Sequence, residues 1–330
     1  MPPLSILTPD DLQYTVFRFF VAWKVCCMTG REERMAELLL LVKTLGLSDI
    51  SPVVLSDSTN LIVHLAPHPV VARIAKDWPG HSESSWRDVL ARELRVAAFL
   101  ADRGIPVVRG HFSLPCGPHR VADTWMTLWD YAEPAAPAIL KPERAVDMVI
   151  GLTRALADFP EPLPWLRVWD NVEEAVDSLR AKVHEDPLVS NLLETFDVMQ
   201  ERMHALDAVF PAHGDAHLGN LIHSTAGWRW NDFEDVSLMP PMWDMASLVG
   251  NMALLKGLGH PVVKHAFTRV AGTGDMESFR FALTVRVVMA TTTNLAMALG
   301  GHGDDGDLDF ARAQLARIGG LLKRLEVWYT

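Results

Sequence analysis

His213-Gly214-Asp215-Ala216-His217-Leu218-Gly219-Asn220, followed after an apolar segment and a turn by Asp232-Phe233-Glu234, is the stretch that decides how this chain is read. Its spacing is H-x-D-x-x-x-x-N and then D-F-x. Three side chains suited to three distinct jobs stand close together in the sequence. Asp215 can accept a hydroxyl proton, Asn220 can offer a neutral amide oxygen to a cation, and Asp232 can offer a carboxylate to the same cation. An isolated aspartate is ordinarily a turn or helix-cap residue. The register of all three is what points to chemistry, and Gly214 before the base permits the tight backbone such a loop needs.

The composition sets the frame for that motif. The chain has 330 residues, 49% hydrophobic and 22% charged, which is the balance of a globular protein long enough for a large core and two lobes. A net charge of -11 runs against a nucleic-acid partner, which calls for a basic stripe, and suits a neutral or cationic small substrate. The cysteines are Cys26, Cys27 and Cys116; an odd number with two adjacent implies no disulfide framework and a reducing, cytoplasmic setting. Residues 15–28 are apolar but carry Arg18 and Lys24, so they read as a packed helix rather than a leader or a span, and no membrane association is expected. Met28 and Met35 are alternative starting points for the chain.

Outward from the motif, the pattern of elements changes along the chain. Residues 32–46 have a helical apolar face ending at Gly46. Val53–Leu55, Asn60–Ala66 and Pro69–Ala75 are short, rich in Val and Ile, and divided by turn residues. A long helical pattern covers 83–103, and further strands are expected at Val107–Phe112 and Thr124–Trp129. From about Pro134 helical patterns dominate, interrupted by a hairpin at Leu221–His223 and Trp228–Asp232 around Ala226-Gly227. The fold class is therefore α+β with two lobes. Residues 1–50 form an N-terminal helical extension, 51–131 a β-rich lobe and 132–330 a mainly helical lobe, with a small-molecule site expected in the cleft between lobes.

The chain resembles the aminoglycoside phosphotransferase family, the small-molecule branch of the protein-kinase-like superfamily. The resemblance rests on three ordered blocks: His213 to Asn220, Asn231 to Asp235, and Trp243 to Ala246. It implies a protein-kinase-like fold and transfer of the γ-phosphoryl group of ATP, or of GTP, to a hydroxyl of a small molecule such as an antibiotic, amino sugar or metabolite. It implies Asp215 as catalytic base, Asn220 and Asp232 as Mg²⁺ ligands, and the connector Thr127–Tyr131, with Trp129 and Tyr131, at the nucleotide base through backbone hydrogen bonds. His213 is expected to stabilise the loop, and Asp244 to brace it from behind while capping its own helix. Arg73 stands where the V-A-I-K pattern expects lysine, with Glu93 as its partner and Lys76 as an alternative. Ser58, Thr59 and Asn60 replace the usual glycine-rich loop and can donate to phosphates. Glu234 and Asp235 are candidate acceptor-binding residues. A monomer or homodimer is expected.

Other motifs fall short on spacing. His213 and His217 have the i, i+4 spacing of zinc proteases but lack the glutamate after the first histidine. Asp304, Asp305, Asp307 and Asp309 have the wrong order for an EF-hand and read as the acidic start of a helix. Most of the eleven tryptophans read as core. The absent glycine loop and the arginine at position 73 leave one alternative function, a catalytically weak kinase-like nucleotide-binding module.

Overall fold

The computed structural model describes residues 28–57, 60–76, 83–170, 172–182, 186–300 and 305–327. Cys26, Cys27, Ser58 and Thr59 lie outside the described residues, as does Asp304. In chain order the elements are α1 (Met28–Thr44), β1 (Ser51–Asp57), β2 (Asn60–Ala66), β3 (Val70–Ala75), α2 (Glu83–Asp102), β4 (His119–Val121) and β5 (Thr124–Asp130). There follow α3 (Pro142–Leu156), α4 (Arg167–Asp170), α5 (Glu173–Lys182), α6 (Pro187–His204), β6 (Phe210–Ala212), β7 (Leu221–Ser224), β8 (Gly227–Trp230) and β9 (Ser237–Met239). The helices α7 (Trp243–Lys256), α8 (Pro261–Ala271), α9 (Met276–Leu299) and α10 (Asp305–Val327) complete the fold. It is the α+β fold read from the sequence, an antiparallel five-stranded sheet followed by a mainly helical part.

Contacts divide the chain into two compact units: residues up to 139 together with 221–234, and residues 140–220 with those from 235 onward. In the first unit the sheet runs β1-β2-β3-β5-β4. Strand β3 is central and buried along its whole length, which is why VVARIA is a continuous apolar run broken only by its arginine. Helix α1 belongs to this core: Leu38 and Val42 are fully buried among Leu61, Val63, Leu65 and Leu128. Its Arg34 grips Asp123, in the β4–β5 turn, through Nε at 3.0 Å and Nη2 at 2.9 Å. The helix ends as its sequence suggests, with Gly46 at φ +95° and the Leu47 N–H returned to the Val42 carbonyl at 3.0 Å.

Two sequence expectations change in this unit. Residues 107–112 form isolated bridges rather than a strand, because they bond in turn to two different partners. Val108 N–H donates to the Trp230 carbonyl at 2.8 Å, whereas His111 N–H donates to the Leu128 carbonyl at 3.1 Å. The fifth strand is instead the short His119–Val121. The boundary between units also differs from the division at 131. The β7–β8 hairpin packs with the first unit, since Trp230 N–H donates to the Pro106 carbonyl at 2.8 Å and Thr225 N–H to the Glu133 carbonyl at 2.9 Å. Sequence proximity to the run from His213 to Asn220 hides this return of the chain.

In the second unit helix α9 is the core. By length and composition it could cross a membrane, but 61% of its apolar window is buried inside the protein. Phe279, Leu283, Val285, Val287, Val288 and Leu295 are all buried, and α7 is likewise buried nearly throughout. A helix apolar all round is what such a central position requires. The β6–β9 pair, not expected from the sequence, joins Phe210–Ala212 to Ser237–Met239.

Trp230 is fully buried. Its replacement by alanine should cost about 3–5 kcal/mol, read as a lowered midpoint of denaturant unfolding.

Candidate active site

In the second unit, the motif His213 to Asn220 forms a loop closed by a single 3-10 turn, Leu218–Asn220. Asp244, on the first turn of α7, sets its shape. One carboxylate oxygen accepts the His213 N–H at 3.0 Å and the other accepts the Gly214 N–H at 3.2 Å, while Thr153 Oγ1 donates at 3.3 Å. The helix is entered through Met242 at φ +64° with no side-chain cap, so the expected N-cap role of Asp244 is replaced by this grip on the loop. Asp244 is buried, and burial pushes its pKa up to about 6 despite the two backbone donors.

Gly214 is clamped from every side. Its φ is +89°, its carbonyl accepts the Trp243 indole N–H at 2.7 Å, and a Cβ there would stand 2.3 Å from the Asp235 carbonyl oxygen. Only glycine meets both demands. The loop is thereby held to one path just before Asp215.

Asp215 is the most elaborately partnered side chain of the loop. Arg286 of α9 forms an ion pair with Oδ1, His217 Nε2 lies 3.2 Å from Oδ2, and Asn220 Nδ2 donates to the Asp215 carbonyl at 2.9 Å. His217 Nδ1 accepts the Gly219 N–H at 2.9 Å, which leaves the proton of the neutral ring on Nε2, facing Asp215. Burial works to raise the Asp215 pKa, but the His217 imidazole and the Arg286 guanidinium outweigh it and hold the carboxyl well below the usual range. One quarter of the Asp215 side chain remains solvent-accessible, at 25%. Asn220 turns its amide nitrogen to Asp215, which leaves its amide oxygen for another partner.

In the first unit, Arg73 on β3 gathers three carboxylates. It pairs with Glu93 of α2, with Asp232 at 3.0 Å and with Glu234. Glu93 also accepts the Phe233 N–H at 3.1 Å, and Arg92 Nη2 donates to the Glu234 carbonyl at 3.1 Å. Burial would lower the Arg73 pKa, but the charges of Glu93, Glu234 and Asp232 drive it upward. Three carboxylates around one guanidinium leave an excess of negative charge, and burial pushes Glu93, the most deeply enclosed, up to about 7. Asp232 sits at φ +67°, a left-handed conformation costly for a non-glycine residue and found where a backbone is held for function.

The other expected site residues fall as follows. Glu234, expected at the acceptor, has its carboxylate taken by Arg73, because the turn after Asp232 carries it back to β3. Lys76 is paired with Asp57. Asn60 is buried with its amide oxygen unpartnered among the described residues. The connector N–H groups are already used: those of Leu128, Asp130 and Tyr131 donate to the Cys116, Arg109 and Pro69 carbonyls. A base bound by backbone donors would therefore have to use the chain beyond Tyr131, since β5 keeps the earlier groups in the sheet. Trp129 is buried with its indole on Thr127 Oγ1 at 2.8 Å, and the Tyr131 ring stacks on His64 at 3.8 Å. The Asp235 carbonyl crowds Gly214 and accepts Ser237 Oγ at 2.9 Å.

The model of the phosphotransferase enzyme family matches residues 54–280. The chain belongs to the phosphotransferase enzyme family. Its fold is shared with amicoumacin kinase hAmiN, solved with AMP-PNP, Ca²⁺ and Ami (14% identity, 88% of this chain and 95% of that one, TM-score 0.62). It is shared also with the choline kinase LicA from Streptococcus pneumoniae (14%, 88% and 99%, 0.60) and with the GDP complex of aminoglycoside 2'-phosphotransferase-IIIa (14%, 86% and 98%, 0.59). No curated protein matches the sequence.

Within this member of the family, Arg286 and His217 are the partners of Asp215 that sequence reasoning missed. Arg286 carried a signal, a lone charge inside the apolar run Thr284 to Ala290 of a core helix. A charge in such a place is retained only with a partner.

Gly214→Ala should destabilise the protein by more than about 2 kcal/mol, from the left-handed φ and the backbone clash together, as measured by urea unfolding. Asp244 binds its proton more tightly folded than unfolded, so its contribution to stability is full below about pH 4 and is lost as pH rises through about 6. Urea midpoints from pH 4 to 6.5 should therefore fall for the wild type relative to Asp244→Asn, which has no proton to lose; the contribution of Glu93 is common to both.

Proposed function

We propose that this protein is a nucleotide- and Mg²⁺-dependent O-phosphotransferase acting on a hydroxyl group of a small molecule. The observation that carries the reading is the state of Asp215: an ionised, partly exposed carboxylate fixed by Arg286, His217 and Asn220 in a loop braced by Asp244. Phosphoryl transfer asks a protein chiefly for positioning and charge stabilisation. A carboxylate held this far down in pKa is a weak base. It orients the acceptor hydroxyl by accepting its hydrogen bond and takes the proton only as the new bond to phosphorus forms.

The donor set suits a hard divalent cation. Asn220 would offer an amide oxygen, its nitrogen being turned to Asp215, and Asp232 would offer a carboxylate with one third of its side chain exposed, at 33%. The metal ion, when bound with the nucleotide, would neutralise charge developing on the phosphate oxygens. Arg73 would hold the phosphates of ATP or GTP through its planar fork, with Glu93 orienting it.

The test is a panel of hydroxyl-bearing metabolites, amino sugars and antibiotics, run with ATP and GTP and scored by nucleoside diphosphate release. Asp215→Ala should lower turnover at least about 100-fold while calorimetry shows unchanged nucleotide binding. Asp232→Asn should weaken Mg²⁺-nucleotide binding itself. A protein stabilised by Mg²⁺-ATP that releases no ADP with any acceptor would be a binding module instead.

A further inference from the structure

A second cluster in the first unit lies outside the phosphotransferase motifs. His111 Nδ1 is 2.7 Å from Asp130 Oδ1, and His111 Nε2 is 2.8 Å from Ser113 Oγ. The carboxylate can only accept, so the proton of the neutral imidazole is on Nδ1. Nε2 then carries the lone pair, and the Ser113 hydroxyl is the donor. This polarity, carboxylate to imidazole N–H and imidazole lone pair to hydroxyl, is the one that activates an alcohol.

The imidazole is held firmly. His111 is buried, its N–H donates to the Leu128 carbonyl at 3.1 Å, and its carbonyl accepts the Cys116 thiol at 3.1 Å. Ser113, in contrast, is exposed. Beside them Phe112 is 89% exposed, its ring centroid 5.5 Å from the imidazole, an apolar surface at the mouth of the cluster. The neighbouring Cys116 does not compete as a nucleophile, because burial and then the Asp130 charge push its thiol pKa up.

We propose that Ser113 is a nucleophilic serine with His111 as its general base and Asp130 as the orienting carboxylate, forming a reactive centre for apolar acyl or phosphonyl compounds with a good leaving group. With an aryl ester, the Ser113 Oγ–acyl carbon bond forms and the carbon–aryloxide bond breaks. The hydroxyl proton passes to His111 Nε2 and on to the departing aryloxide. With an alkyl fluorophosphonate, the Oγ–P bond forms, the P–F bond breaks, fluoride leaves and the proton stays on His111. The centre does not depend on the phosphotransferase reading, and its test is separate.

The full chain is incubated with an alkyl fluorophosphonate, followed by intact mass measurement and peptide mapping. One adduct on Ser113 is expected, with none in Ser113→Ala. His111→Gln should slow labelling at least about 100-fold, the scale of a positioned general base, with thermal midpoints recorded for each variant. The idea is overturned if the wild type gives no adduct under conditions that fully label a serine esterase; the two hydrogen bonds would then only tie down the loop. It is overturned equally if the adduct lies elsewhere, or if a folded His111→Gln is labelled at the wild-type rate. Should His111→Gln not fold, the wild type and Ser113→Ala decide alone.

Discussion

The carboxylate of Asp244 is the interaction on which the loop from His213 to Asn220 depends. A loop that holds a buried path must satisfy its own backbone N–H groups without help from a helix or sheet. Asp244 does this for His213 and Gly214 at once, from a rigid and buried helix. Burying a carboxylate is costly unless donors converge on it, and here two backbone donors and a hydroxyl do so. Gly214 completes the arrangement, because the same backbone that reaches Asp244 also passes against the Asp235 carbonyl.

With the loop fixed, the two units present contrasting electrostatics. In the second, one carboxylate, Asp215, is matched by an arginine and a histidine. In the first, one arginine, Arg73, is shared among three carboxylates. The first arrangement keeps Asp215 ionised and oriented. The second gathers negative charge around one buried cation, and burial, with the Glu234 charge adding to it, raises Glu93 toward neutrality.

Much of the fold was legible from local pattern. Strands β2 and β3 and helices α2, α7 and α9 follow from apolar runs or apolar periodicity and from turn residues, glycine and proline near their ends, because those signals depend on neighbouring residues alone. The short strands β4, β6 and β9 have three residues each and no periodicity to read; they exist because a partner strand is delivered from elsewhere in the chain. The same limit applied to residues 107–112, whose Val-rich start suggested a strand but whose bonds go to two different segments.

The candidate site divides along the same line. Order and chemistry in the sequence determined that Asp215, Asn220 and Asp232 belong to one motif and that the chain belongs with phosphotransferases, since that motif is local and its spacing is tied to one loop and one hairpin. Only the tertiary structure decided what each side chain meets. Arg286 reaches Asp215 from seventy-one positions away, Glu234 turns back to Arg73 across 161, and Ser113, His111 and Asp130 assemble around a loop with no motif at all. Charge pairing of this kind depends on distance in space, which no local pattern encodes.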